Sequence, residues 1–472
     1  MRPTLFRFCL ALSATPAALA GPPVDGIVDP AFGNAGLARI DPDDAGLGVG
    51  QFMRDIARSP TSGKFYLLGS DGALTLARMS ADGQLDTSFD GDGYATQLPS
   101  IPNRLTEQLF RVAVTSSGKP VVAGAFHEIE ADASDSQGLV CRFNVAGNPD
   151  TGFDGDGCRL FELDFGNTRG ADNITALAPL PGDALLVAGT ARNALDDQRG
   201  FIAKLNADGS YDQSFGLGGL RYFDFPLTDF VRVEQITVAG DGSIFVAGGR
   251  SGGGIRSAFV IALDAEGDPR PGYGDNGIAE VSFVDEFPAQ ANIGHYATGL
   301  VVDAAGRATH CGHARDFNTT TLMITLARFD ADGELDPGFD GDGRLITSFS
   351  ELNAVNYTGP CVLDRHGRLT LSMHTGQQGS YDPELALMRF RADGSTDEDF
   401  HGSGRLALPL NLGVNGIGSE LVGGLVAQGD DLILAGTATL KNFLDNPSTP
   451  HEFVALRLRD DRMFRDGFES AD

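Results

Sequence analysis

The sequence predicts an all-β protein, a seven-bladed β-propeller of four-stranded antiparallel blades, and three observations predict it. An aromatic residue followed by a glycine-rich turn recurs seven times along the 472 residues. Four short strand-like runs recur in each interval between those turns. Many of these runs are apolar at nearly every position, as in Phe259 to Leu263, and a strand buried on both faces needs a sheet on each side.

The turns read VDPAFGNAG from Val28, LDTSFDGDG from Leu85, PDTGFDGDG from Pro149 and YDQSFGLGG from Tyr211. They continue as PRPGYGDNG from Pro269, LDPGFDGDG from Leu335 and TDEDFHGSG from Thr396. Their aromatic residues, Phe32, Phe89, Phe153, Phe215, Tyr273, Phe339 and Phe400, recur with a mean period of about 61 residues. That period overrides the several domains that length alone suggests.

Each turn opens a short run such as Leu220 to Phe225 or Arg344 to Phe349. A variable stretch follows, then a strand of the Val112-Ala-Val type, a Gly turn, a run such as Val121-Val-Ala-Gly, and a second apolar run such as Phe201-Ile-Ala-Lys-Leu. Gly, Asp and Asn punctuate the strands, and no stretch has a 3.6-residue period, so the unit is an antiparallel meander. Seven small sheets stacked radially bury both faces and leave only short edges. An open row or flat β-solenoid shares the same signature.

The run LARFDADGELDPGFDGDGRLITSF, Leu326 to Phe349, closely resembles the delta-60 repeat, a unit found in tandem in exported bacterial proteins. The resemblance covers nearly all of the chain after its leader, and the unit from Pro269 departs from it most. It implies a propeller-like architecture and brings no established activity, so it assigns no functional residues.

Residues 1–20 read as a signal peptide. Arg2 and Arg7 are basic, Phe8 to Leu19 is a short apolar run, and Ala18-Leu19-Ala20 offers small residues for a cut before Gly21. Cys9 has no small-residue lipobox ahead of it. Residues 21–461 form one propeller domain, and 462–472 a polar tail. The tail's Phe464-Arg-Asp-Gly-Phe-Glu resembles a short ending of exported proteins in some Gram-negative bacteria, with a frayed terminus as the plain alternative. The expected location is the periplasm, the cell surface or the medium. No later segment is long and apolar enough to span a membrane.

The formal charge of −29 argues against nucleic acid, whose affinity comes from Lys and Arg neutralising phosphate. A monomer binding a protein or glycan is expected. Four cysteines follow the leader, and in an oxidising compartment disulfides are the default. Cys141 and Cys158 flank the turn at Phe153 on successive strands and are expected to pair within one blade. Cys311 and Cys361 then pair between neighbouring units.

Three patterns carry candidate chemistry. Asp86, Asp90 and Asp92, Asp150, Asp154 and Asp156, and Asp336, Asp340 and Asp342 stand at one spacing in glycine-rich turns. They offer oxygen ligands for calcium, although Asp and Gly are also what tight turns need without a metal. His313 and His374 share one column of neighbouring units, where the others carry Ser70, Ala125, Thr190, Gly249 and Thr437, and read as a ligand patch or as plain strand-end residues. His310 and His313 lie three apart on a strand and point to opposite faces.

The third pattern is a base followed eight residues later by an acid: Arg78 and Asp86, Arg142 and Asp150, Lys204 and Asp212, Arg328 and Asp336, Arg389 and Asp397. Where the base is lost, at Ala262, the acid is lost too, at Arg270. That joint loss argues for an ion pair in each blade, since a buried base needs a partner. The seventh base, Arg457, faces Arg465 at that spacing, whereas Asp29 opens a turn with no strand of its own. Asp29 is therefore expected to pair with Arg457, with Gly36 to Asp41 as the outer strand of the last blade.

No nucleophile elbow, Cys-His pair or phosphate loop is present. The reading is a binding module that uses the variable loops of one face, such as His127 to Gln137, Phe287 to Tyr296 and Lys441 to Glu452. The alternative is an exported carbohydrate-active hydrolase or lyase with its site in the central channel.

Overall fold

A computed structural model describes residues 27–42, 52–70, 74–98, 104–128, 136–163, 171–192, 198–223, 225, 230–252, 255–287, 292–319, 321–349, 354–377, 383–410, 412, 420–429, 431–439 and 451–459. The leader and the C-terminal tail lie outside these residues, as do 129–135, 288–291 and 440–450 of the variable loops.

The strands form seven four-stranded antiparallel sheets. In blades 1 to 6 the strands follow chain order from the channel outward. Their innermost strands are Met53–Arg58, Arg104–Val114, Asp172–Pro179, Phe230–Val238, Ile293–Val302 and Ala354–Leu363. Blade 7 takes Glu420–Gln428, Asp431–Thr439 and His451–Leu458, and its outer strand is Leu37–Ile40 from the other end of the chain. Leu37 pairs with Leu456 and Ile40 with Phe453. Each innermost strand touches its two neighbours around the ring, and the seventh returns to the first.

The sequence explains the burial. Strands such as Leu74–Met79 are buried at every position, because a neighbouring blade covers each face. Among the described residues no strand of one sheet pairs with a strand of another, so something directional must set one blade against the next. The aromatic turn supplies it. The residue after each aromatic, Gly33, Asp90, Asp154, Gly216, Gly274, Asp340 or His401, has φ between 49° and 60°. This left-handed region is open to Gly and tolerated by Asp and His.

In that conformation the backbone N–H points outward to the next blade. Asp90 donates to Ala146 O at 2.6 Å, Asp154 to Asp208 O at 2.7 Å and Asp340 to Asp393 O at 2.8 Å. Gly33, Gly216 and Gly274 make the equivalent bonds. The aromatic ring lies against a glycine of that same neighbouring turn. A Cβ added to Gly267 would stand 2.5 Å from the Phe215 ring.

The bases complete the joint. Nε of Arg78, Arg142, Arg328 and Arg389 donates to Asp86, Asp150, Asp336 and Asp397 at 2.6, 2.7, 2.8 and 2.8 Å. Lys204 Nζ lies 2.9 Å from Asp212. Arg78 and Arg142 also donate to Val145 O and Ala207 O of the next blade at 2.5 and 2.6 Å, and Arg328 donates to Ala392 O. Each of these arginines stacks over its own turn's phenylalanine, 4.5–4.9 Å from the centroid.

Burial would raise the Asp86 carboxyl, but the bonds from Lys64, Ser88 and Arg78 more than reverse it and hold it well below the usual carboxylate range. At the seam, Arg457 Nε donates to the buried Asp29 at 2.7 Å, Asp29 N donates to Arg457 O at 2.8 Å, and Arg457 stacks over Phe32. The N-terminal segment thus brings both the last strand and the last turn of the ring.

Two disulfides add covalent ties, one within a blade and one between blades. Cys141 and Cys158 face each other across adjacent strands of blade 2, Cα atoms 4.1 Å apart. Cys311 and Cys361 join blades 5 and 6, Cα atoms 6.5 Å apart.

Phe32 is fully buried at the seam, so Phe32→Ala should cost about 3–5 kcal/mol in urea unfolding. A loss no larger than that of Phe317→Ala, whose ring is exposed, would contradict this closure.

Candidate functional site in the central channel

Antiparallel blades put two kinds of connection on two different faces. Turns within strand pairs one–two and three–four lie on one face, where Lys64 of one kind reaches Asp86 of the other at 2.6 Å. Connections from second to third strand, and from one blade to the next, leave on the opposite face. Phe230, which opens an innermost strand, and Phe317, which follows a second strand, stand on that face.

Every innermost strand carries a register shift at the same level: Met53/Asp55, Leu109/Arg111, Ile174/Ala176, Val233/Gln235, Ala297/Gly299, Thr358/Cys361 and Val422/Gly424. A bulge bends a strand and re-aims its side chains. Residues of all seven innermost strands line one cavity of about 520 Å3, among them Arg54, Asp55, Arg111, Arg232, Glu234 and Tyr357.

The channel's charges are held by neighbouring blades. Asp55 accepts from Val112 N of blade 2 and from Ile56 N, both at 2.9 Å. Its burial, only partly offset by Arg111, pushes its carboxyl up to about 6. Glu234 accepts from Ala297 N of blade 5 at 2.6 Å and from Arg232 at 3.3 Å. Burial raises it too, against the pull of Arg232. Arg111 reaches past blade 3 to donate to Glu234 O at 3.0 Å.

The column shared by His313 and His374 is a second inter-blade joint. Ser70, Thr190 and Thr437 there accept the N–H groups of Leu109, Val233 and Met53 in the following blade, at 3.1, 3.4 and 2.8 Å. His374 Nδ1 accepts from Val422 N at 3.4 Å, which leaves the proton of a neutral ring on Nε2, and His313 Nδ1 bonds Thr358 Oγ1 at 2.9 Å. The two imidazoles also belong to a ladder of rings. Tyr296 stacks on His313 at 4.9 Å, Tyr357 meets His313 edge-on at 5.9 Å, and Tyr357 stacks on His374 at 5.1 Å. Arg232 caps the ladder, 4.7 Å from the Tyr296 centroid. His374 lines the cavity, whereas His313 is buried behind it.

The ladder continues to the rim. Phe230, 5.1 Å from Arg232, and Phe317, 5.3 Å from Arg315, are 38% and 45% exposed. A Cβ added to Gly294, two residues from Tyr296 on the same strand face, would stand 2.8 Å from the Phe317 ring. Blades 4 and 5 thus present one strip of aromatic and guanidinium groups from rim to channel.

The acidic turns lie on the opposite face. Asp92, Asp156 and Asp342 accept from the backbone N–H two residues on, at 2.8–2.9 Å. Asp86, Asp150 and Asp336 hold the arginines, and Asp90, Asp154 and Asp340 occupy the left-handed position. Among the described residues, no group of three or more His, Cys, Asp or Glu is gathered as a metal site, and no helix is long and apolar enough to cross a membrane.

Sequence reasoning missed Arg54, Asp55, Arg111, Arg232, Glu234, Tyr296 and Tyr357. Repeats reveal what recurs, and these residues do not recur. The available signal was charge inside strand runs, as in Phe110-Arg-Val and Arg232-Val-Glu.

A family described as a beta-propeller domain of unknown function (DUF5122) matches residues 115–153 and 184–215. No curated protein matches the chain. Among solved structures, a protein of unknown function from Dyadobacter fermentans is 10% identical, with TM-score 0.41, over 74% of this chain and 93% of its own. A gluconolactonase from Xanthomonas campestris is 12% identical, TM-score 0.35, over 93% and 98%. Drosophila Semaphorin 2a is 9% identical, TM-score 0.45, over 90% and 75%. Likenesses this distant carry no activity across, and the propeller architecture rests on the seven sheets themselves.

Two measurements follow from this geometry. Seven of the nine Asp side chains of the acidic turns already serve a backbone N–H or an arginine, so melting temperatures in EDTA and in millimolar calcium should agree; a rise with calcium would assign a metal to the turns. Burial lowers His295, His310 and His374 to about 4 and His313 to about 3. Stability from these neutral rings is complete above pH 6.5 and is lost as pH falls toward 4. Asp55 and Glu234 oppose this, losing stability as pH rises through their elevated values, but four imidazoles outweigh two carboxyls. The melting temperature should therefore drop between pH 6.5 and about 4.5. Neither ring nitrogen of the fully buried His310 has a partner among the described residues. His310→Leu should accordingly stabilise by about 1 kcal/mol and flatten that slope; a destabilised variant with an unchanged slope would contradict this.

Proposed function

We propose that the chain is an exported recognition module that takes its ligand on the channel-mouth face, across blades 4 and 5. The observation that carries this reading is the strip of Phe230, Arg232, Tyr296, Arg315 and Phe317. Exposed aromatic rings backed by guanidinium groups are what binding surfaces enrich. Both exposed phenylalanines among the described residues belong to it. The opposite face is occupied by the turns and bases that hold the ring together. Export is supported by two disulfides and by the leader-like N-terminus.

A second reading, a hydrolase or lyase acting in the channel, draws support from Asp55, raised to about 6 beside Arg111. Release of new chain ends from a polysaccharide would favour it.

A glycan and protein array probed with the chain, with Phe230→Ser/Phe317→Ser and with Leu217→Ser tests the recognition reading. Leu217 is exposed on the opposite face. Ligands captured by the chain should be kept by Leu217→Ser and lost by the double variant. Capture that survives the double variant would place recognition elsewhere.

A further inference from the structure

Resting on that reading, we infer that the channel mouth takes an acidic oligosaccharide, its carboxylate held by Arg232 and Arg111 and a ring face set against Tyr357. Charge is the first reason. The whole chain carries −29, yet the cavity gathers three guanidinium groups, Arg54, Arg111 and Arg232, against two carboxylates, Asp55 and Glu234. A cationic excess inside a low-dielectric channel attracts and concentrates an anion.

Donor capacity is the second reason. Arg232 gives a single hydrogen bond to the described residues, to Glu234, and Arg111 gives two, to carbonyls. Most of their N–H groups remain for a ligand, and a planar guanidinium suits a carboxylate bidentately. Stacking on Tyr296 and the bond donated to Glu234 hold the Arg232 plane in advance, which lowers the ordering cost of binding.

The walls choose the rest of the ligand. Tyr357 and the hydroxyls of Thr298 and Thr358 line the same cavity, so ring faces stand beside hydrogen-bonding oxygens. A pyranose has that character, with apolar faces and a rim of hydroxyls. The cavity of about 520 Å3 lies within the roughly 300–1,000 Å3 of small-ligand sites. A thin sugar chain enters it and a folded protein surface does not.

Calorimetric titration of the full chain with trigalacturonate and trimannuronate, with neutral galactotriose and mannotriose, and with triglutamate tests this. At least one uronate should bind, its neutral counterpart about tenfold or more weaker. Arg232→Gln should lose about ten- to a hundredfold, as expected for a hydrogen bond to a charged group. Added salt should weaken binding. Arg54→Gln, at a more exposed position, should lose less, and it decides the matter if Arg232→Gln has a lowered melting temperature. Equal affinity for neutral and acidic sugars, unchanged affinity in both variants, or no uronate binding would overturn the inference. So would tighter binding of triglutamate, which would assign an acidic peptide instead. Array capture that depends on Phe230 and Phe317 without any uronate binding sinks only this inference, whereas capture independent of the rim sinks the recognition reading itself.

Discussion

The structure depends on the joint between one aromatic turn and the next blade. A propeller's sheets are not linked by strand hydrogen bonds, so side-chain packing alone would let one blade slide over another. The left-handed residue after six of the seven aromatics prevents this, because its N–H leaves the turn and finds a carbonyl in the neighbouring turn. The ring beneath it fills the space above a glycine, and the arginine ties acid, ring and neighbouring carbonyl together. Every element of the repeated sequence belongs to this joint, so its period is the period of the blades.

A joint of this kind fixes one face of the ring and leaves the other open to change. Blade 4 is where the joint is weakest, since Ala262 and Arg270 replace the base and acid. There the inner strands supply the missing link. Glu234 accepts from Ala297 N, Gln235 donates to Thr298 O and Thr237 donates to Leu300 O, at 2.6, 3.0 and 2.8 Å, all from blade 4 to blade 5. The seam that lost this clamp thus adds polar bonds at the channel, beside the aromatic strip.

The ring was legible in the sequence because a propeller repeats its physics. Seven aromatics at one spacing, and the joint loss of Ala262 and Arg270, revealed the blades and an ion pair within a single chain. The orphaned Asp29 and the unmatched Arg457 pointed to each other for the same reason, and Leu37–Ile40 lies beside His451–Leu458. The shared column of His313 and His374 was visible, but its inter-blade hydrogen bonds were not, since they run to backbone N–H groups that no sequence pattern marks. The channel was illegible for a deeper reason. Its residues come from all seven innermost strands at different columns, and only closure of the ring makes them neighbours.

The bulge level of the innermost strands shows what the fold itself requires of the channel. Arg54, Phe110, Thr175, Glu234, Thr298, Gly359 and Gly423 occupy that level in the seven blades. A position that accepts Phe, Thr and Gly without breaking the ring does not need a charge. Burying charged groups is costly, and an apolar pair of similar volume is often no less stabilising. Thr175 and Thr298 meet the following blade with a neutral hydroxyl at the site where Glu234 uses a carboxylate. The fold could have closed every seam in that neutral way. Glu234 and Asp55 carry links between blades, but the ring does not require Arg54, Arg111 and Arg232 beside them, and their gathering fits the anionic ligand proposed above.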